Sequence, residues 1–169
     1  IRNEDANTIK SLIDIEYFSK FIAWSAIINN SHFITGDNLK YIYDHTNGKF
    51  RILFRVEDTL FKKDNIINQF FSSWLNTPKL YSGADTHKIF DILVKDPEML
   101  ESINSALRMI LNEKESIIDS VNKLYDENYN LLLGYGNIPK HRIKFEKNTF
   151  FNNLENNFMV ASNYLNYEK

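Results

Sequence analysis

The stretch 36–58, GDNLKYIYDHTNGKFRILFRVED, constrains the fold more than any other part of the chain. Leu39, Tyr41 and Tyr43 alternate with polar or smaller positions, and Phe50, Ile52, Phe54 and Val56 alternate after them. That period of two belongs to strands with one buried face. Between the two runs, Asn47 and Gly48 tolerate the positive φ that a hairpin turn demands. The pattern predicts an antiparallel hairpin over 39–56. In such a ribbon the start of one strand lies beside the end of the other. Asp37 and Asn38 would then stand next to Glu57 and Asp58 at the open end. Their oxygens would approach within roughly 6–8 Å, given strands about 5 Å apart.

Almost everything outside this stretch has helical period. Residues 1–7 read as a polar lead-in. Asp14 is placed to cap a helix over 15–29, with Glu16 at the positive end of its dipole. Phe18, Phe21, Ile22, Ser25 and Ile28 share one face, and Trp24 lies close enough to it to belong to the core. A short helix is expected over 65–76, burying Ile66, Phe70, Phe71 and Trp74. Pro78 and Gly83 bracket a loop, and Asp85 or Thr86 opens a helix that reaches Val94. Asp96-Pro97-Glu98 combines an N-cap, a proline at the first helical position and an acid in the first turn.

From there Leu100, Ile103, Leu107 and Ile110 mark an apolar stripe. Ile117, Val121, Leu124 and Tyr125 continue it towards Leu132, as one long helix or two joined near Asn112. Gly134 and Gly136 end that segment and Pro139 lies in the loop after it. A last helix is expected over 149–167, with Phe151, Leu154, Phe158, Ala161 and Leu165 inward. The expected class is mainly α with one β-hairpin, in a single domain or domain fragment over 1–169 and without an internal boundary.

Composition narrows the chemistry. The chain has no cysteine, which removes disulfides, thiolate metal sites and cysteine nucleophiles. Its net charge of −2 argues against a nucleic-acid partner, which calls for a basic surface. No apolar run has the length of a membrane span. The five glycines are scattered and form no phosphate loop. His32, His45, His87 and His141 lack metal-ligand spacing and read as surface or packing residues. The basic run Lys140, His141, Arg142, Lys144 and Lys147 reads as a solvated loop, able to attract an anion.

The acidic cluster at the hairpin's open end is therefore where chemistry is expected. Carboxylate and amide oxygens are hard donors suited to Mg²⁺, Mn²⁺ or Ca²⁺. The plainer account is that Asp37 caps a turn and that Glu57 and Asp58 end a strand in solvent.

The segment IDIEYFSKFIAWSAIINNSHFITGDNLKYIYDHTNGKF resembles the CotH family of atypical, spore-coat-type protein kinases. That family has a helix opening I-D-x-x-x-F, matched here by Ile13, Asp14 and Phe18. Its hairpin D-N-x-K-x-Y-Y-D-x-x-x-G-K-F is matched by Asp37, Asn38, Lys40, Tyr41, Tyr43, Asp44, Gly48, Lys49 and Phe50. The likeness is best over 12–58. It implies the C-terminal lobe of a divergent protein-kinase fold that binds ATP with Mg²⁺ or Mn²⁺ and phosphorylates a protein. The implied roles are Asp37 as catalytic acid, Asn38 and Lys40 on the nucleotide, and Asp58, Asn38 and Glu57 on the metal. The implied partners are a nucleotide and a protein substrate or surface partner, and the implied setting is extracellular, at a cell surface or in a spore coat.

The family's W-D-x-D stands here as Arg55-Val56-Glu57-Asp58, so its tryptophan and first acid are replaced. Neither arginine nor valine coordinates Mg²⁺, and this favours a non-catalytic, pseudokinase-like binding or structural module as the alternative. A kinase also grips nucleotide phosphates with a strand lysine under a covering lobe. The chain shows no such lobe, so it is expected to be part of a longer protein and inactive in phosphotransfer alone.

Overall fold

The computed structural model describes residues 5–28, 40–53, 86–134 and 140–167. Among them run α1 (Ala6–Leu12), α2 (Ile15–Ile27), β1 (Tyr41–Asp44), β2 (Lys49–Ile52), α3 (Thr86–Lys95), α4 (Pro97–Asn112), α5 (Lys114–Gly134) and α6 (Lys140–Tyr167). The fold is mainly helical with one antiparallel hairpin.

The core lies where α2, α4 and the second half of α6 meet. α2 contributes Phe18, Phe21, Ile22, Ala23, Ala26 and Ile27, all buried. α4 answers with Met99, Ile103, Ala106, Leu107 and Ile110, and α6 with Leu154, Phe158, Ala161 and Leu165. The 3–4 spacing of the α4 and α6 sets puts each on one helical face, whereas α2 is buried on more than one side, with Phe21, Ile22 and Ala23 consecutive. Small residues let α2 seat closely, since Ser19, Ala23, Ser25 and Ala26 are all buried. The core stripe of α4 starts at Met99, while Leu100 is half-buried.

The caps read from the sequence are present. The Asp14 carboxylate accepts from the Tyr17 N–H at 3.1 Å, and Asp96 accepts from the Met99 N–H at 3.0 Å with Pro97 beginning the helix. Asp96 has a second duty. It meets Lys10 Nζ at 3.0 Å, and Glu98 meets the same ammonium at 2.6 Å, so α1 is tied to the start of α4. The Met99 N–H and then Lys10 hold the Asp96 carboxyl below its ordinary pKa, and Glu98 and Asp96 raise that of Lys10.

Three boundaries differ from the expectation, and one open alternative is decided. α1 begins at Ala6, because Asp5 caps it by accepting from the Thr8 N–H at 3.0 Å, so the polar lead-in is partly helix. α2 ends at Ile27, two residues early, with Ile28 as its C-cap. The two apolar stripes after Asp96 belong to two helices that meet at Glu113, the second of the two arrangements expected. The last helix starts at Lys140 rather than 149, so the basic run 140–147 is helical. No proline or glycine follows Pro139 until the end of the helix, and nothing in that run opposes helix formation. The helix expected over 65–76, with Trp74, lies outside the described residues.

The hairpin pairs Tyr41 with Ile52, Ile42 with Arg51, Tyr43 with Phe50 and Asp44 with Lys49. Its loop has four residues, His45 to Gly48, and Gly48 alone among the described glycines has positive φ, at 65°. Asp44 shapes the loop by accepting from the Thr46 N–H at 2.9 Å and the Asn47 amide at 2.8 Å. Those donors hold its carboxyl below the usual carboxylate pKa, with Arg51 adding to the effect. His45 is exposed at the tip, its ring edge-on to Tyr43. Only the root of the ribbon is buried: Ile52 is 1% exposed, whereas Tyr43 and Phe50 are 43% and 39% exposed.

Candidate functional site

A site at the open end of the hairpin depends on how firmly the hairpin is held. The chain before α2 forms a bridge to β2, with Ile13 beside Phe50 and the Asp14 N–H donating to Phe50 O at 3.1 Å. Arg51 Nε donates to Asp14 Oδ2 at 2.9 Å, and its Nη2 also lies 2.9 Å from that oxygen and 3.4 Å from Asp44 Oδ2. The Arg51 guanidinium sits 5.5 Å from the Tyr17 ring centre. The Tyr17 hydroxyl in turn donates to Ile52 O at 2.8 Å, and Lys49 Nζ donates to Ser11 O. One residue, Asp14, thus caps α2 with one oxygen and holds the hairpin with the other.

Arg51 is the functional-looking residue that pattern reading missed. Alternation marks it as outward-facing in a strand, and its carboxylate partners lie 37 residues back and across the turn. A sequence signal does exist, since an arginine on the polar side of a hairpin needs an acid and Asp14 and Asp44 are the acids nearby in the fold.

The ladder extends one step past the strands. The Leu53 N–H donates to Lys40 O at 2.8 Å, so the chain enters and leaves the hairpin side by side. Of the expected site residues, Lys40 is described and is exposed. Asp37, Asn38, Glu57 and Asp58 lie outside the described residues, as do Arg55 and Val56. Among the described residues no group of His, Asp and Glu could hold a metal ion. Tyr41, next to Lys40, is largely buried, and that burial pushes its phenol up to about 12.

A second feature runs along α2. Tyr17, Lys20, Phe21 and Trp24 line a groove of about 420 Å³. Lys20 and Trp24 also border a smaller hollow of about 240 Å³ against Ala106, Met109, Ile110 and Glu113 of α4 and its C-cap. Trp24 packs partly on the core, as expected, while keeping an edge in both hollows. The lining is apolar apart from Lys20, Glu113 and the Tyr17 hydroxyl. Lys20 is paired with Glu16 at 2.6 Å and the hydroxyl is spent on Ile52. Among the described residues no nucleophile with an adjacent base stands there.

No family model, curated protein or solved structure matches this chain. The described helices include none long and apolar enough to cross a membrane.

Proposed function

We propose that the chain is the hairpin-bearing part of a CotH-like, kinase-type domain that binds a nucleotide with Mg²⁺ or Mn²⁺ at the open end of the hairpin. The observation that supports this is the Lys40–Leu53 hydrogen bond, which holds the chain side by side as it enters and leaves the ribbon. Asn38 stands two residues before that bond, and Glu57 and Asp58 stand four and five residues after it.

The donor set fits a hard divalent ion, because it consists of carboxylate and amide oxygens. Asp58, Glu57 and Asn38 would hold the ion, which supplies charge neutralisation for the phosphates when bound. Lys40 places an ammonium for a phosphate oxygen, and Asp37 would orient an acceptor hydroxyl. The acceptor in this reading is a protein outside the cell, at its surface or in a spore coat. The Asp14–Arg51 tie gives the hairpin a fixed angle to α2 from which such a site could be built.

A second reading, a non-catalytic binding or structural module, draws on Arg55 and Val56, which place a cation and a methyl pair where the family has a tryptophan and an acid. Calorimetric titration of Mn²⁺ with and without ATP separates the two. Binding in the wild type that is lost in Asp58→Ala is the expected outcome. Flat traces for both proteins would leave the non-catalytic module. In either case radiolabelled ATP should give no phosphate incorporation with this chain alone, which has no glycine-rich phosphate loop.

A further inference from the structure

Of the chain's many asparagines only Asn47 is followed by glycine. The pair stands exposed in the loop of the hairpin. Asn-Gly carries a chemical liability. The backbone nitrogen after an asparagine can attack the side-chain amide carbon, and glycine shields that nitrogen least because it has no Cβ. The nitrogen must first be free to lose its proton. In the closed hairpin it is not free, since the Gly48 N–H donates to Asp44 O at 2.8 Å. The other reacting group is held by the same residue, the Asn47 amide nitrogen donating to Asp44 Oδ2 at 2.8 Å. The Asp44 carboxylate is itself kept in place by the Thr46 N–H at 2.9 Å and by Arg51 Nη2, 3.4 Å from the oxygen that takes Asn47.

We infer that Asn47-Gly48 is a site of self-modification gated by the hairpin. Asp44 holds the pair inert while the ribbon is closed, and each opening exposes it to cyclisation and conversion to aspartate or isoaspartate. In the open state the Gly48 nitrogen gives its proton to hydroxide and bonds to Asn47 Cγ. The Cγ–Nδ2 bond then breaks, and the departing nitrogen takes up a proton and leaves as ammonia. Water opens the resulting cyclic imide at either of its carbonyls. Attack at one gives aspartate, and attack at the other gives a β-linked isoaspartate whose main chain runs through the former side chain. Nothing is oxidised or reduced; water is consumed and ammonia released.

The product does not restore the turn. Where Asn47 offered a donor to Asp44 Oδ2 there is now a carboxylate, and two carboxylates this close repel. The isoaspartate also lengthens the main chain between Thr46 and Gly48, in a loop that the pairing of Asp44 with Lys49 and the φ of 65° at Gly48 fit to its present length. The ribbon is held to the body by the partly exposed Asp14–Arg51 pair and one fully buried side chain, Ile52, so it opens more readily than the helical core. The modification is therefore a one-way record of hairpin opening. It forms at the tip, away from the end where Lys40 meets Leu53, and is independent of what binds there.

Trypsin, cutting after Lys40 and Lys49, releases the peptide 41–49, which contains no other asparagine, so mass spectrometry of that peptide measures the conversion. Wild-type protein in native buffer should convert at least about tenfold more slowly than in urea at the same pH and temperature. Asp44→Ala removes the carboxylate's hydrogen bonds from the closed turn and should convert about tenfold faster than wild type in native buffer. Asp14→Asn leaves the turn untouched and loosens only its tie to α2, so it should convert faster by a smaller factor. In every protein the rate should rise in step with hydrogen exchange of the Gly48 N–H. Asn47→Gln, whose ring would need another carbon, should give no conversion in this peptide. Equal rates in native buffer and urea, no conversion in urea, an Asp44→Ala protein no faster than wild type, or conversion while the Gly48 N–H stays protected would each overturn the inference.

Discussion

The helical body and the hairpin are stabilised by different physics. Between α2, α4 and α6 the contacts are apolar and the buried side chains are large, with Phe18, Phe158, Met99, Ile103 and Leu107 all under 2% exposed. The hairpin adds a single fully buried side chain, Ile52, and otherwise hangs on Asp14, Arg51, Tyr17 and Lys49. Arg51 is 38% exposed and Asp14 is 23% exposed, so solvent screens their attraction. An element held this way opens locally at a lower free energy than the body. The protein therefore carries its candidate site on its less stable part.

The comparison breaks first if truncations in the two regions act alike. Leu107→Ala leaves a cavity at the centre of the body and should cost about 3–4 kcal/mol of global stability by denaturant titration. Ile52→Ala should cost about 2–3 kcal/mol. Its loss should show mainly as faster amide exchange in 40–53, with α4 protection little changed. Equal loss of protection in α4 would make the hairpin an integral part of the body.

Asp14→Ala removes a cap and an ion-pair partner together. The expected cost is about 2 kcal/mol, divided between the cap and the partly exposed pair. Asp14→Asn keeps a capping oxygen, so it should recover most of that cost in α2 while leaving the hairpin amides exchanging quickly. Full recovery at both places would show that the Arg51 pair adds nothing.

Gly48→Ala probes the turn alone. A methyl group there would meet only the Tyr43 hydroxyl at 3.8 Å, an ordinary contact, so the cost comes from the φ of 65°. About 1 kcal/mol is expected, confined to the hairpin.

The smallest effect concerns pH. Burial raises the Tyr41 phenol from 10.0 to about 12, so the folded state holds this proton more tightly than the unfolded state. The contribution is complete below pH 10 and is lost as pH rises towards 12. Absorbance titration should find a late-ionising tyrosine signal that Tyr41→Phe reduces by one residue. The stability of that variant should fall less steeply over the same window.

Much of this architecture was legible because it is local. An aspartate three residues before a free N–H caps a helix wherever the chain goes afterwards, and Asp14 and Asp96 do so. The alternation on either side of the turn specified a hairpin, and the hairpin is there. Of the residues proposed for the site, only Lys40 falls within the described structure.

Local pattern failed where a residue's partner is remote or where one pattern permits two outcomes. Leu124 and Leu131 have the spacing of core residues yet stand exposed, since spacing defines a face without saying what covers it. Asn157 reads as a polar position in an asparagine-rich helix. In the fold it is buried and donates to Ile27 O at 2.8 Å, satisfying a carbonyl at the end of α2 from 130 residues away. Periodicity and capping are short-range and are written in adjacent residues. Which acid Arg51 meets, and which carbonyl Asn157 caps, depended on helices brought together by burial of apolar surface, and that arrangement was settled only in the tertiary structure.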